Sequence, residues 1–584
     1  MKHVNKVLKP HYFTILVIIS LIFIQVTYSD LALPDYMSDI INNGIISGDT
    51  KYILNIGIKM LLVSLLGVIM SVASGFLASR VGAKVARDLR EMTFKKVTYF
   101  DHTSVKKFGV SSLITRTTND IQQIQMFITI SLRMAIMAPI MAIGGILKIV
   151  NSNASMAWIV TVGVISIIIL IVGIMSLAIP NFSKIQKLTD KLNLVTRENL
   201  NGMLVIRAFD NSSLENKKFD NVSKDIKKTN LFINKVMNIM SPGMTIILNG
   251  VSLLIIWFGA KSINLSNLEV GDMMAYMQYS MQIIMSFLFI SMIFVFMPRA
   301  IVSFKRVIEI LNTNNLVNDK KETKKFKPKN TTITFKNVSF RYDDANDDIL
   351  TGISFTAASG ETTAFIGSTG SGKSTLIDLV PRFYDVSGGQ ILIDNIDIRD
   401  IKQSDLRDLI GYVPQKGCLF SGTIESNIKY ANKKITNKEM EDAASISCSK
   451  DFIMKKEDKF KSPITQGGTN VSGGQRQRLS IARALASKAK IFIFDDSFSA
   501  LDFKTEATIR KNLKKKLKDS TILIVAQRVS SILHADQIVV LDQGKVVGIG
   551  KHSDLMKTCK IYQEIALSQL TEEEAYKAGD NYAS

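Results

Sequence analysis

Six long apolar runs crowd the first half of this chain and constrain its fold more than any other feature. Residues 12–33, 53–79, 127–150, 157–180, 241–262 and 273–298 each approach the length needed to cross a bilayer, about 20 predominantly apolar residues. A bilayer core offers no water to the backbone, so each run must satisfy its peptide groups internally, as a helix. Polar, helix-periodic stretches at 80–99 and 184–201 read as continuations of the second and fourth helices. The first run follows a basic start (Lys2, Lys6, Lys9) and so mimics a secretory leader. It is longer than a leader core and no small-residue cleavage site closes it, so it reads as a retained span.

Loop charge predicts the orientation. The stretch 80–107 carries Arg80, Lys84, Arg87, Arg90, Lys95, Lys96, Lys106 and Lys107, and 184–235 is also rich in Lys. The alternate loops 34–50, 151–156 and 263–272 hold no Lys or Arg. The basic loops are therefore expected on the cytoplasmic side, with both termini and everything after residue 299 on the same side. The formal net charge of +21 over 584 residues fits basic loops facing anionic lipid, and equally a Lys-rich composition on solvated faces. It does not point to nucleic acid, because no zinc-ligand spacing, RNA-binding aromatic signature or basic groove-reading helix accompanies it. Cys418, Cys448 and Cys559 form no CxxC pair, as expected of a reducing compartment.

The second half changes character. Residues 311–330 are polar and Lys-rich and read as a linker. Beyond them, strand-like runs at 332–335, 364–366, 391–393, 491–494, 521–525 and 537–541 alternate with helical stretches, which predicts an α/β domain with a mainly parallel core. The expected division is an α-helical transmembrane domain at 1–310, the linker, an α/β nucleotide-binding domain at 331–569 and a frayed tail at 570–584.

Three motifs carry chemistry. Gly367-Ser368-Thr369-Gly370-Ser371-Gly372-Lys373-Ser374-Thr375 lies directly after an apolar strand and before a helical run, the context a P-loop requires. Its glycines let backbone N–H groups curl around phosphate oxygens, and the helix N-terminus adds its dipole. Lys373 would neutralise the β- and γ-phosphates of ATP, and Ser374 would offer a hydroxyl to Mg²⁺. The apolar run 491–494 ends in Asp495-Asp496, a Walker B pattern in which Asp495 would hold Mg²⁺ directly or through water. Third, Ser472-Gly473-Gly474-Gln475 precedes a helix and makes a second anion-binding nest.

With these residues the chain resembles the ATP-binding-cassette family, over roughly residues 10–570. The Ser472–Gln475 run is similar to that family's signature, which implies that it binds the γ-phosphate held by another nucleotide domain. A complete site then needs a second half-transporter. The resemblance also implies that Tyr342 stacks on adenine, that Gln415 touches Mg²⁺ and faces the membrane domain, and that Ser499-Ala-Leu-Asp502 is the D-loop. Thr115–Asp120 and Glu198–Phe209 resemble the first and second intracellular loops of the exporter branch. The regions 99–109 and 202–213 are accordingly expected to pass motion between domains.

Two departures bear on the chemistry. The family's general base after Asp495 is Glu, whereas this chain has Asp496, shorter by one C–C bond of roughly 1.5 Å. The switch histidine is replaced by Gln527, which can donate a hydrogen bond but cannot carry a proton or a charge. Gln466 also stands where the family often has Glu. With Lys373, Gln415, Asp495, Asp496 and Gln527 as the catalytic set, the site is expected to bind ATP and hydrolyse it poorly. The nearly standard signature is then expected to complete a competent site on a different partner, as in heterodimeric bacterial multidrug exporters. The expected cargo is a hydrophobic or amphipathic compound. Rival readings are a lipid or peptide exporter, possibly homodimeric, and an ATP-binding regulatory subunit.

Substrate contacts are less determined. The last span carries Met273, Met274, Met277, Met281, Met285, Met292 and Met297 with Phe287, Phe289, Phe294 and Phe296. Such a surface suits varied apolar ligands and equally serves helix packing or lipid. Gln278 and Gln282 lie one turn apart and are placed to face a cavity. Arg133, in the third span, reads either as a functional intramembrane charge or as a snorkelling side chain.

Overall fold

The apolar runs fold as six membrane-length helical segments, Lys9–Ile45, Thr50–Thr98, Val110–Asn151, Ala157–Asn201, Ser212–Asn264 and Val270–Asn312. The computed structural model describes residues 7–577, apart from 153–155, 266, 267, 321, 325, 327, 329 and 344. The chain divides into two compact units, Met1–Tyr99 with Phe108–Thr313, and Phe100–Lys107 with Asn314–Ser584.

In the first unit the helix Thr50–Thr98 runs 49 residues without a break, and Ala157–Asn201 runs 45. The polar stretches at 80–99 and 184–201 do continue the apolar helices. Asp49 caps the first of these, its carboxylate accepting from the N–H groups of Lys51 and Tyr52 at 3.0 and 3.1 Å. No more than a third of any apolar window is buried within the chain. Side chains such as Leu61, Val72 and Ile169 stay about two-thirds exposed or more, a surface that only lipid or another subunit can cover.

Polar bonds join the last helix to the first. The Ser38 hydroxyl donates to Asp272 at 2.7 Å, the Gly271 N–H donates to Asn42 at 2.7 Å, and the Tyr279 hydroxyl donates to Asp35. Gln282 belongs to this set. Its amide donates to the Asp30 carbonyl at 2.7 Å, so it ties the last helix to the first, while Gln278 is exposed. Arg133 donates to the Ser71 hydroxyl at 3.0 Å, a partner on a neighbouring helix that the sequence did not indicate. Met273 and Met277 pack on the core, whereas Met274, Met281, Met285 and Met292 are exposed. The Phe294 side chain lies outside the described residues.

The second unit contains two main sheets and a two-stranded pair, β7 (Gly422–Thr423) with β8 (Pro463–Ile464). One has four strands in the order β2-β1-β4-β5, all antiparallel: β1 (Ile333–Phe340), β2 (Leu350–Ala357), β4 (Gly388–Ile393) and β5 (Ile396–Asp397). The other has six, in the order β12-β11-β3-β10-β9-β6. These are β3 (Thr362–Gly367), β6 (Ile410–Val413), β9 (Ile491–Asp495), β10 (Thr521–Val525), β11 (Gln537–Asp542) and β12 (Lys545–Gly550). All its pairings are parallel except β11 with β12. Every residue of β9 and β10 is buried, as expected of parallel strands covered on both faces. The mainly parallel core thus describes one sheet. The separate antiparallel sheet was not anticipated, nor were β2, β6 and β12.

Two segments are more tightly held than their composition implies. In the linker region, Lys320 pairs with Asp400 at 2.5 Å, and the Leu316 N–H donates to Asp101 at 2.6 Å. The expected fraying from residue 570 does not begin there. A helix covers Glu572–Lys577, Ala575 is buried, and its carbonyl lies 2.9 Å from Nε2 of the buried His552. Residues 578–584 lie outside the described residues.

Candidate nucleotide site

Parallel pairing brings the functional residues to one edge. Val525 of β10 pairs with Phe365 of β3 and with Asp495 of β9. The carboxyl ends of β3, β6, β9 and β10 therefore open together, where α/β sheets bind ligands. Gly367, Gln415, Asp495–Asp496 and Gln527 each sit at or just beyond one of those ends.

The loop after β3 is shaped by glycine. Gly372 has φ of 94° and caps the helix Lys373–Asp378. A side chain there would be strained, and its Cβ would lie 2.7 Å from Leu350 Cδ2. The Lys373 ammonium donates to the carbonyls of Gly367 and Ser368 at 2.9 and 2.7 Å. Burial lowers its proton affinity, while Asp496 and Asp495 raise it. Ser374 Oγ donates to Asp495 Oδ1 at 2.9 Å. Burial, followed by the charge of Asp496, pushes the Asp495 carboxyl up, against the Ser374 hydrogen bond and the Lys373 charge. Two hard oxygen donors thus stand side by side in a partly desolvated position. That suits Mg²⁺, which takes one or two carboxylates and completes its shell with phosphate and water.

A cavity of about 600 Å³ surrounds this loop. It is lined by Tyr342, Gly367, Ser368, Thr369, Gly370, Gly372, Lys373, Ser374, Thr375, Gln415, Asp496 and Gln527. Of the residues read from sequence as binding ATP, only Ser371 is absent from the wall, being buried beneath it. Tyr342 is anchored by the Thr375 hydroxyl at 3.0 Å and packs edge-on against Phe340. The wall also contains Ile349, Val525, Ile565, Ser568 and Gln569, which sequence reasoning missed. Gln569 bridges the switch segment: its amide N donates to the Gln527 carbonyl at 2.9 Å, and its Oε1 accepts from the Val529 N–H at 2.8 Å.

The two departures meet in space. Asp496 is 7% exposed and adopts a left-handed backbone with φ of 44°. Its Oδ2 accepts from Gln527 Nε2 at 2.8 Å and from Gln415 Nε2 at 3.2 Å. Two neutral amides thus hold one oxygen of this shortened carboxylate.

Ser472, Gly473, Gly474 and Gln475 line no part of that cavity. They open the helix Gly473–Ala486 as a capping box. The Gln475 N–H donates to Ser472 Oγ at 3.2 Å, and Gln475 Oε1 accepts from the Ser472 N–H at 3.1 Å. A Cβ on Gly474 would lie 3.3 Å from the Ala500 carbonyl, whereas one on Gly473 would meet nothing within 4 Å.

Six membrane-length helices joined to a domain of this kind define an ATP-coupled membrane transporter. The chain belongs to the ABC transporter family, as an exporter-type half-transporter with a membrane domain and a nucleotide-binding domain in one polypeptide. It matches the ABC transporter transmembrane region over residues 14–287 and the ABC transporter family over 350–499. It is 37% identical over 548 residues, 93% of this chain and 94% of the other, to an uncharacterised ABC transporter ATP-binding protein of Mycobacterium tuberculosis. It is 32% identical to a putative export ATP-binding/permease protein of Rickettsia typhi, covering 95% of this chain and 96% of that one. In fold it is similar to a bacterial Atm1-family ABC exporter solved with ATP bound. That likeness has a TM-score of 0.81 at 24% identity, over 96% of this chain and 98% of the other.

Proposed function

We propose that this half-transporter exports hydrophobic or amphipathic compounds across the bacterial cytoplasmic membrane as one subunit of a heterodimer, and that its own ATP site hydrolyses weakly. Both termini and the nucleotide-binding domain lie in the cytosol on this reading, which the basic loops at 80–107 and 184–235 support. Tyr342 stacks on adenine and residues 367–375 cradle the phosphates. Ser374, Asp495 and the Gln415 side-chain oxygen would hold Mg²⁺, whose charge would help neutralise the phosphate oxygens. Ser472, Gly473 and Gly474 turn their N–H groups to the γ-phosphate held by the partner. Transport follows from closure of two nucleotide domains on ATP, transmitted through 99–109 and 202–213.

The bonding of Asp496 carries the weak-site reading. Hydrolysis needs a base within about 2.6–3.2 Å of the attacking water, and such a base contributes about 10²–10⁴-fold. Asp496 has one oxygen occupied by the Gln527 and Gln415 amides. Gln527 cannot take up charge as the reaction proceeds. The site is thereby suited to holding ATP.

Purified alone, the chain should bind a fluorescent ATP analogue, with affinity at least tenfold lower in Lys373→Ala, and should show almost no ATP turnover. Robust turnover by the isolated chain would refute the weak-site reading.

A further inference from the structure

A second cavity in the nucleotide-binding unit is separate from the ATP site. It encloses about 420 Å³, within the roughly 300–1,000 Å³ typical of small-molecule sites. Its floor is apolar, built from Leu513, Ile522, Ile524 and Ile532, all buried. Its rim carries the cations Arg510, Lys511 and Lys514, with the His534 ring beside them.

Among the described residues no carboxylate lines this cavity. Glu506 accepts from the Ser531 hydroxyl and pairs with Arg510 at 3.4 Å, which leaves Lys511 and Lys514 as the cations open to a ligand, while Asp536 accepts from the Thr362 N–H at 2.9 Å. Lys511 and Lys514 have no ion-pair partner among the described residues. The concentration of charge is felt locally: burial, then Arg510 and Lys514, lower the proton affinity of His534. A favourable interaction with the helix dipole accounts for Lys514, Lys515 and Lys516 in the last turn of Phe503–Lys516. It does not account for Arg510 or Lys511 earlier in the helix, or for His534 on another element.

We propose that this cavity binds an anionic amphiphile, with a single carboxylate or phosphate head held by the basic rim and a compact apolar body on the floor. Apolar burial and charge pairing act on different parts of such a ligand, so neither a neutral apolar molecule nor a bare inorganic anion satisfies both. The position also gives the site a regulatory route. One wall is the helix that follows Asp502, and the other is the turn just beyond Gln527. Arg510 ties them by donating to the carbonyls of Ser530 and Ser531 at 3.1 and 2.8 Å. A ligand that favours one spacing of these walls shifts the elements flanking the ATP site by as much as its differential affinity allows.

The test is saturation-transfer NMR on the full chain in lipid nanodiscs, with empty nanodiscs subtracted and ADP in excess to fill the nucleotide site. The probes are 4-phenylbutyrate and phenyl phosphate, with 4-phenylbutanamide as the neutral control. Lys511→Glu/Lys514→Glu reverses part of the rim, and Ala507→Trp fills the hollow from an exposed position, so neither disturbs the core. Saturable binding of at least one anion is expected, at least tenfold weaker in both variants and absent for the amide. The preferred anion identifies the head group. Equal binding by the variants, equal binding of the amide, or no saturable binding of either anion overturns the proposal.

Discussion

Gly473→Asp separates damage to this chain's own fold from damage to the partner's site. Within the chain a Cβ at 473 meets no atom within 4 Å. Position 473 is the first residue of the helix Gly473–Ala486. An acidic side chain there complements the helix dipole, worth about 0.3–1 kcal/mol, and glycine is the poorer helix former. The substitution should therefore leave the subunit at least as stable as before. Gly474 is less informative, because a Cβ there already lies 3.3 Å from the Ala500 carbonyl. If residues 472–474 address the partner's γ-phosphate, a carboxylate at 473 places like charge against it and blocks preorganised N–H donors. Loss of one such donor costs about 10²–10³-fold, or about 2.7–4 kcal/mol. ATPase assays on the co-purified heterodimer should show at least a 10²-fold loss. Binding of fluorescent ATP to the isolated variant subunit and its melting temperature should be unchanged. Wild-type turnover by the variant heterodimer would refute the cross-subunit role. Weakened binding to the isolated subunit would show that the signature acts within its own chain.

Two further predictions come from the site's surroundings. Gln569→Ala removes both bonds to the switch segment, each worth about 0.5–1.5 kcal/mol net, so amide exchange at 527–531 should speed up measurably by mass spectrometry while Lys373-dependent nucleotide binding persists. Burial, opposed by a hydrogen bond from Tyr412, pushes the Asp378 carboxyl from 3.8 up to about 6. A raised carboxyl favours the folded state while protonated and loses that contribution as pH rises through about 6, by roughly 3 kcal/mol. Melting curves between pH 4.5 and 8 should show roughly 2 kcal/mol of this loss, complete above about pH 6, and Asp378→Asn should flatten it.

The membrane helices were legible because length and apolarity alone decide them. The loop at 367–375 was legible because strand, glycines, lysine and helix are contiguous in sequence. What stayed hidden depends on contacts between distant segments. β12 shows alternating exposure and two glycines, Gly548 and Gly550, so it lacks the solid apolar run that marks β9 and β10. Gln569 belongs to no motif, and only folding brings it within 2.9 Å of the Gln527 carbonyl. Helical spacing sets Gln282 one turn from Gln278 but cannot show that the Asp30 carbonyl accepts from it. The sequence places Asp496, Gln527 and Gln415 in one catalytic set, and folding adds the hydrogen bonds that join them directly.

Asp496→Asn in the heterodimer tests the weak-site account most directly. The change keeps the side chain's shape and its oxygen acceptor but removes the negative charge a base requires. If this chain's site contributes little to hydrolysis, total ATP turnover should fall by no more than about twofold, against the 10²-fold or greater loss predicted for Gly473→Asp. A loss from Asp496→Asn as large as that from Gly473→Asp would place the main hydrolytic event at this chain's own carboxylate and contradict the account.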